Sequence, residues 1–342
     1  MSASPDVSVL MPVRDGRFLA DALRTIQHQD FDAFEIVIVD DASDADTHQF
    51  LQDAARTDGR IRILRREKSR GLAWALNAGL DLCRAPLVAR ADADDLYAPD
   101  RLARQRAVFL SRPSLAALSC GWRRIDAEGK ILFTHRPATG PSNLRFRTMF
   151  GAPLLHPGVM YRADAVRKVG GYDPAYWTAQ DSDLWARMAP MMELDNLVVP
   201  LVDWRLHDKA VTSARGDEGR KLSLSIPLRE QSAYLSADLS ERDVAASVDT
   251  FSSAAPLSID ILSRGERHLN RLCERARQNE PVSVVRDIHD AVAKALLRQC
   301  RWALRDGRIG DGARLLRRSV AWRVGTMSKR AVPRAPIAVS RA

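Results

Sequence analysis

The sequence predicts an α/β fold, a mostly parallel sheet flanked by helices, with a helical extension at its C-terminal end. Three observations predict it. Apolar, β-branched runs alternate with segments of helical periodicity over about the first hundred residues. Two of those runs, VIVDD (37–41) and VARADADD (88–95), finish in carboxylates. From about residue 225 onward the pattern is helical throughout.

The elements follow in order. VSVLMPV (7–13) is a β-branched run closed by Pro12 and an Arg-Asp-Gly turn, and Phe18, Leu19, Ala22, Leu23 and Ile26 then recur at helical spacing. FEIVIVDDAS (34–43) is continuously apolar, as a strand covered on both faces must be. RIRILRR (60–66) alternates like a half-exposed strand, GLAWALNAGLDLC (71–83) has helical spacing, and PLVARAD (86–92) reads as another buried strand. Beyond Asp100 a helix is expected near 99–111 and a strand near 115–125, followed by a polar, Pro- and Gly-bearing stretch. The pattern recovers with VMYR (159–162), short helices at 163–169 and 181–192, and a strand near 197–206. Helices are expected near 228–236, 257–278, 282–305 and 310–324, and PRAPIAVSRA is expected to be disordered.

Size and composition bound the function. A chain of 342 residues with 46% hydrophobic content builds a sizeable core, so disorder of the whole chain is excluded. No run approaches the ~18 apolar residues needed to span a bilayer, and MSASPDVSVLMPV lacks a basic segment followed by an apolar one, so a cytoplasmic protein is expected. Cys83, Cys120, Cys273 and Cys300 show no CxxC spacing and are expected to be buried free thiols. Twelve Lys or Arg from Arg298 onward face only Asp306 and Asp311, so the net charge of +9 resides in the tail. The division expected is an α/β domain over 1–224, in halves that meet at about residue 100, a helical region over 225–330, and a disordered tail over 331–342.

The crowded acids carry the chemistry. Asp92, Asp94 and Asp95 repel one another unless something compensates them, and a hard divalent cation such as Mg²⁺ would do so through oxygen ligands. Asp95 or Asp100 could instead cap the helix that begins near Pro99. At the end of the second strand Asp41 could accept from a pyrimidine imino N–H or from ribose hydroxyls, or could open an Asx turn with Ser43. Asp181 opens a helix, where its charge could act as a base or merely favour the helix dipole, a task Asp183 would do equally well. His156 could line an acceptor pocket or be a satisfied loop histidine. Trp177, Trp185 and Trp204 could stack on a sugar, although Trp185 shares helical spacing with Leu184 and Met188, as core residues do. Arg205 could reach a phosphate.

Taken in order, VSVLMPVRDG with VIVDDAS, GLAWALNAGL, ARADADDLYAPDRL, HPGVMYRADAVRKVGGYD, AQDSDLWARM and WRLHDKAVTS resemble the signature segments of family 2 glycosyltransferases with the GT-A fold. The resemblance covers roughly 7–213 and is specific, because six segments recur in the right order. It implies a Rossmann-like mixed sheet, mostly parallel, and transfer with inversion from a nucleotide-diphosphate sugar, UDP-linked first because Asp41 suits uracil, to a hydroxyl of a glycan or lipid-linked acceptor. The resemblance further implies that the domain over 1–224 is catalytic, its half to about 100 binding the nucleotide and its half over 101–224 the acceptor. It implies that Pro12 and Asp41 meet the nucleobase, Asp92 the ribose, and Asp94 with His207 a Mn²⁺ or Mg²⁺ ion, with Asp181 as general base.

Two departures stand out. Gln180 precedes Asp181 where the family usually has Glu, and Ala75 and Leu76 occupy the place of a common donor-side basic residue, leaving Arg66 or Arg70 to substitute. A catalytically silent module of the same fold, with the helical C-terminus as an assembly element, is the competing expectation; Gln180 favours it, and the intact DADD and Asp181 oppose it. The basic C-terminal helices, with Arg305, Arg308 and Arg314 beside Leu315, Leu316, Val320 and Trp322, suit peripheral contact with the anionic inner face of a membrane. Packing on the catalytic domain or on a second subunit as a homo-oligomer suits them equally. Nucleic acid is not expected, since no binding motif accompanies the charge.

Overall fold

Val, Ile and Leu dominate the first runs, and the chain folds them into the interior of a sheet. A computed structural model describes residues 4–207, 216–253 and 255–325. Its first part runs β1 (Val7–Val13), α1 (Leu19–Gln27), β2 (Phe34–Asp41), α2 (Ala45–Thr57), β3 (Ile61–Arg66), α3 (Leu72–Leu82) and β4 (Leu87–Arg90). These strands are parallel in the order β3-β2-β1-β4. Side chains alternate between two core layers. Val7, Val9, Met11 and Val13 of β1 pack with Leu19, Leu23 and Ile26 on one face, while Leu10 joins Val37, Leu76 and Leu80 on the other.

The second part is mixed, as its looser pattern requires. It contains β5 (Leu96–Tyr97), α4 (Arg101–Ser111), β6 (Leu115–Ile125), β7 (Ile131–His135), α5 (Pro141–Arg147), β8 (Met160–Arg162), α6 (Ala163–Lys168), α7 (Gln180–Met188) and β9 (Glu193–Arg205). β8 lies antiparallel between β4 and β6, β9 runs parallel to β6, and β5 pairs antiparallel with β9. The fold is α/β with a mostly parallel sheet in its first half, as the sequence predicts.

Some elements differ from expectation. α2 is not visible as a periodic pattern because it buries only Thr47 and Leu51; its signal is Asp44, whose side chain accepts from Thr47 N at 2.8 Å as an N-cap. α5 falls in the polar stretch read as irregular, and β7, just before it, is not expected because it is exposed along its whole length. The helix expected to reach 192 ends at Met188, and the strand expected from 197 begins at Glu193.

The contacts divide the chain into one compact unit up to Glu230 and another from Gln231 onward. α8 (Gly216–Leu235) is followed by α9 (Glu241–Ser252), α10 (Ile259–Asn279), α11 (Val282–Arg305) and α12 (Ile309–Gly325). Within the second unit Leu262, Leu269, Leu272, Ile288, Val292, Leu296 and Leu315 are buried, and Gln231 accepts from His268 at 2.9 Å and from Ser247 at 3.3 Å. All four cysteines are buried and free. Among the described residues no helix is long and apolar enough to cross a membrane. The tail expected to be disordered and the last residues of WRLHDKAVTS lie outside the described residues.

Candidate active site

Parallel strands direct their carboxyl ends to one edge of the sheet, and the acids of VIVDD and VARADADD stand there. The two neighbours at the end of β2 have different partners. Asp40, fully buried, accepts from Ser43 N at 2.9 Å, from Arg65 at 2.5 Å and pairs with His48 at 2.8 Å. The Asx turn therefore belongs to Asp40. Asp41 lies opposite Arg66, accepts from Ser69 Oγ at 2.6 Å through Oδ2, and keeps Oδ1 buried without a hydrogen-bond partner. Between them and Ser43, Ala42 takes a left-handed φ of 62°, a cost for a residue with a Cβ. Pro12 is buried one residue before the end of β1, and exposed Arg70 lays its guanidinium 3.8 Å above the Trp74 ring.

The DADD turn after β4 is held from three sides. Tyr97 closes it, its hydroxyl accepting from Asp92 N at 2.5 Å and donating to Asp92 O at 3.0 Å. Arg205, at the end of β9, donates its backbone N–H to Asp95 Oδ1 at 2.8 Å and its Nε–H to Asp94 O at 2.9 Å. His207 Nε2 meets Asp94 Oδ2 at 2.8 Å. Asp92 is ion-paired with the buried Arg90. Neither helix-cap alternative holds: Asp95 is spent on Arg205, and Asp100 before α4 makes no side-chain cap bond. The Arg205 guanidinium also donates to Ala127 O at 2.7 Å.

Electrostatics make the cluster costly as it stands. Burial, then the charges of Asp94 and Asp92, push the Asp95 carboxyl well above its ordinary range. Burial raises Asp92 as well, against the lowering pull of Arg90. Ligand atoms of Asp92, Asp94 and Asp95 lie within 4.8 Å of one another, the Asp94 side chain is 37% exposed, and the buried Asp95 Oδ2 and His207 Nδ1 have no hydrogen-bond partner. Convergent carboxylate oxygens that repel one another and leave polar atoms unsatisfied fit a hard divalent cation.

Asp92 and Asp94 line a cavity whose wall also includes His156, Gln180 and Asp181. α7 carries the last two, and the residue before it, Ala179, is again left-handed at φ 57°, so two of the three left-handed non-glycine residues among the described residues lie beside these acids. Asp183 is elsewhere engaged, buried against Arg187 and Arg229. His156 meets Tyr172 Oη at 3.0 Å, and burial followed by the Arg90 charge holds its pKa well below the usual histidine value, which keeps the ring neutral. Trp185 departs from the acceptor-side expectation: it is 0% exposed in the core behind His156, so its ring offers a ligand no surface. Trp177 is exposed and does not line the cavity, whereas Trp204 does. Pro12, Asp41 and Arg70 stand apart from the cavity along the same edge. Sequence reasoning missed Arg90, Trp122 and His135, which line the cavity from β4, β6 and β7; Arg90 sits inside VARADADD but is not singled out there, and no motif surrounds the other two.

The mixed, mostly parallel sheet flanked by helices is the GT-A fold that the sequence predicts. Residues 8–170 match the family model described as Glycosyl transferase family 2, and the chain belongs to that family. The O-antigen biosynthesis glycosyltransferase WbnJ of Escherichia coli is 28% identical over 211 residues, 60% of this chain and 81% of that protein. The amylovoran biosynthesis glycosyltransferase AmsE of Erwinia amylovora is 30% identical over 185 residues, 54% of this chain and 68% of AmsE. Among solved structures, S. aureus TarS 1-349 in complex with UDP-GlcNAc superposes with a TM-score of 0.57 at 17% identity, over 93% of this chain and 92% of that one. The mannosyltransferase PcManGT from Pyrobaculum calidifontis, in complex with GDP-Man and Mn²⁺, gives 0.51 at 18% identity, over 96% and 88%.

Proposed function

We propose that the unit up to Glu230 transfers a sugar, with inversion, from a nucleotide-diphosphate donor to a hydroxyl of a glycan or lipid-linked acceptor in the synthesis of a surface polysaccharide. The observation that carries this reading is the shared cavity of Asp92, Asp94 and Asp181. Stabilisation of the leaving diphosphate and a base are needed on opposite faces of the reacting sugar carbon, and the carboxylates come from the turn after β4 and from α7, which both line this cavity.

In this reading Asp94, steadied by His207, and Asp92 hold a Mn²⁺ or Mg²⁺ ion, which when bound supplies charge stabilisation to the departing diphosphate. Arg90 keeps Asp92 oriented through their ion pair. Asp181 accepts the proton of the attacking hydroxyl. Asp41 receives a base N–H on Oδ1, which has no hydrogen-bond partner and only a 3.8 Å ion pair with Arg66, and this suits the imino donor of uracil and favours UDP-linked donors. Pro12 and Arg70 border that base. The outer face of α12 exposes Leu316, Val320 and Val324 among Arg314, Arg317 and Arg323, and this face would rest on an anionic membrane that carries the acceptor.

The test is release of nucleoside diphosphate across UDP-, GDP- and dTDP-sugars with Mn²⁺, for the unaltered protein beside Asp94→Ala and Asp181→Asn. Turnover of one donor, lost in both variants, is expected. Turnover indifferent to both substitutions would refute the assignment.

A further inference from the structure

The cavity has a second wall of different chemistry. Trp122 of β6, His135 of β7 and Trp204 of β9 all contribute surface to it. Trp122 stacks on His135 with ring centroids 4.8 Å apart and planes at 24°, and meets Trp204 edge to face at 5.1 Å and 82°. The Arg124 guanidinium covers Trp204 at 3.7 Å. Rings that serve only to fill a core are buried, but Trp122 and Trp204 are half-buried and His135 lies on a strand exposed along its whole length. The wall is also tied to the acids, because Arg205, next to Trp204, donates to both Asp94 O and Asp95 Oδ1.

Resting on the transferase reading above, we infer that Trp122, His135 and Trp204 form an acceptor subsite that takes the C–H face of a pyranose ring. A sugar ring has an apolar face of axial C–H groups, which aromatic π faces attract, and a polar rim of hydroxyls. In this cavity the rings offer the first surface, and Gln180 and Asp181 offer polar partners to the second. The substrate class that matches both is a carbohydrate acceptor; an alkyl chain would leave the carboxylates unmatched.

Saturation-transfer NMR with methyl gluco-, galacto- and mannopyranosides, in the presence of UDP and Mn²⁺, tests the assignment. At least one pyranoside is expected to receive saturation chiefly at ring C–H protons. The signal should fall about tenfold in Trp122→Ala and His135→Ala, the scale of a lost aromatic contact, and survive in Trp122→Phe. His135 is exposed, so its truncation leaves folding intact. Pyranoside binding that is equal in all variants, or absent while UDP binds, overturns the subsite. Loss of UDP binding with pyranoside binding intact and ring-dependent would instead refute the donor reading and leave the subsite standing.

Discussion

His207 Nε2 lies 2.8 Å from Asp94 Oδ2, although the two residues are 113 positions apart. The contact joins the loop after β9 to the turn after β4, and its histidine side chain is only 9% exposed while the aspartate is open at 37%. An exposed carboxylate steadied by a nearly buried imidazole is the pairing expected at a metal-binding carboxylate.

Mn²⁺ affinity should therefore depend on both residues. Removing Asp94 by Asp94→Ala is expected to abolish measurable binding, and His207→Ala to weaken it roughly 10–100-fold. Isothermal titration with MnCl₂ and UDP reads the difference; unchanged affinity in His207→Ala would remove His207 from the site.

Asp181→Asn keeps the size of the side chain but not its basicity. The turnover number is expected to drop by about 10²–10⁴, the usual share of a general base, with donor affinity within about twofold. Steady-state kinetics set beside UDP titration separates the two quantities.

Gly79 faces the sheet from α3. A Cβ there would press on Leu10 Cδ1 and come within 2.9 Å of Val39 Cγ2. Gly79→Ala is expected to cost about 1–3 kcal/mol in urea unfolding, since a packed layer yields little.

Trp185→Ala removes a fully buried ring from the layer that backs His156. It should cost about 3–5 kcal/mol. A stable variant impaired only in acceptor KM would return Trp185 to the acceptor pocket.

Stability should also fall with acid through Asp58. Arg60 donates to both of its carboxylate oxygens, at 2.9 and 2.8 Å, and chiefly through these bonds the carboxyl is lowered to about 2. A depressed native value means the contribution is complete above the unfolded value, near 3.8, and is lost as pH falls through about 2. Asp58→Asn is expected to destabilise by about 1–2 kcal/mol at pH 7, allowing for solvent screening, and the gap from the unaltered protein should narrow from about pH 4 downward.

What the sequence alone determined is whatever local periodicity encodes. Continuous apolar runs such as FEIVIV specify strands covered on both faces, and the carboxylates at their ends specify the edge where the chemistry gathers. Tertiary structure decided which acid does which work. Asp40 and Asp41 are adjacent in sequence, yet one is consumed by Ser43, His48 and Arg65 while the other keeps an oxygen with no hydrogen bond; Asp95 is taken by Arg205, and Asp94 is left to His207. The same holds for the rings: Trp185 vanishes into the core, whereas Trp122 and His135, which no motif marked, reach the cavity. The reason is physical. Secondary structure follows from neighbours a few positions away, but a side chain's burial and partners depend on elements that only the fold brings together, some more than a hundred residues distant, as between Asp95 and Arg205.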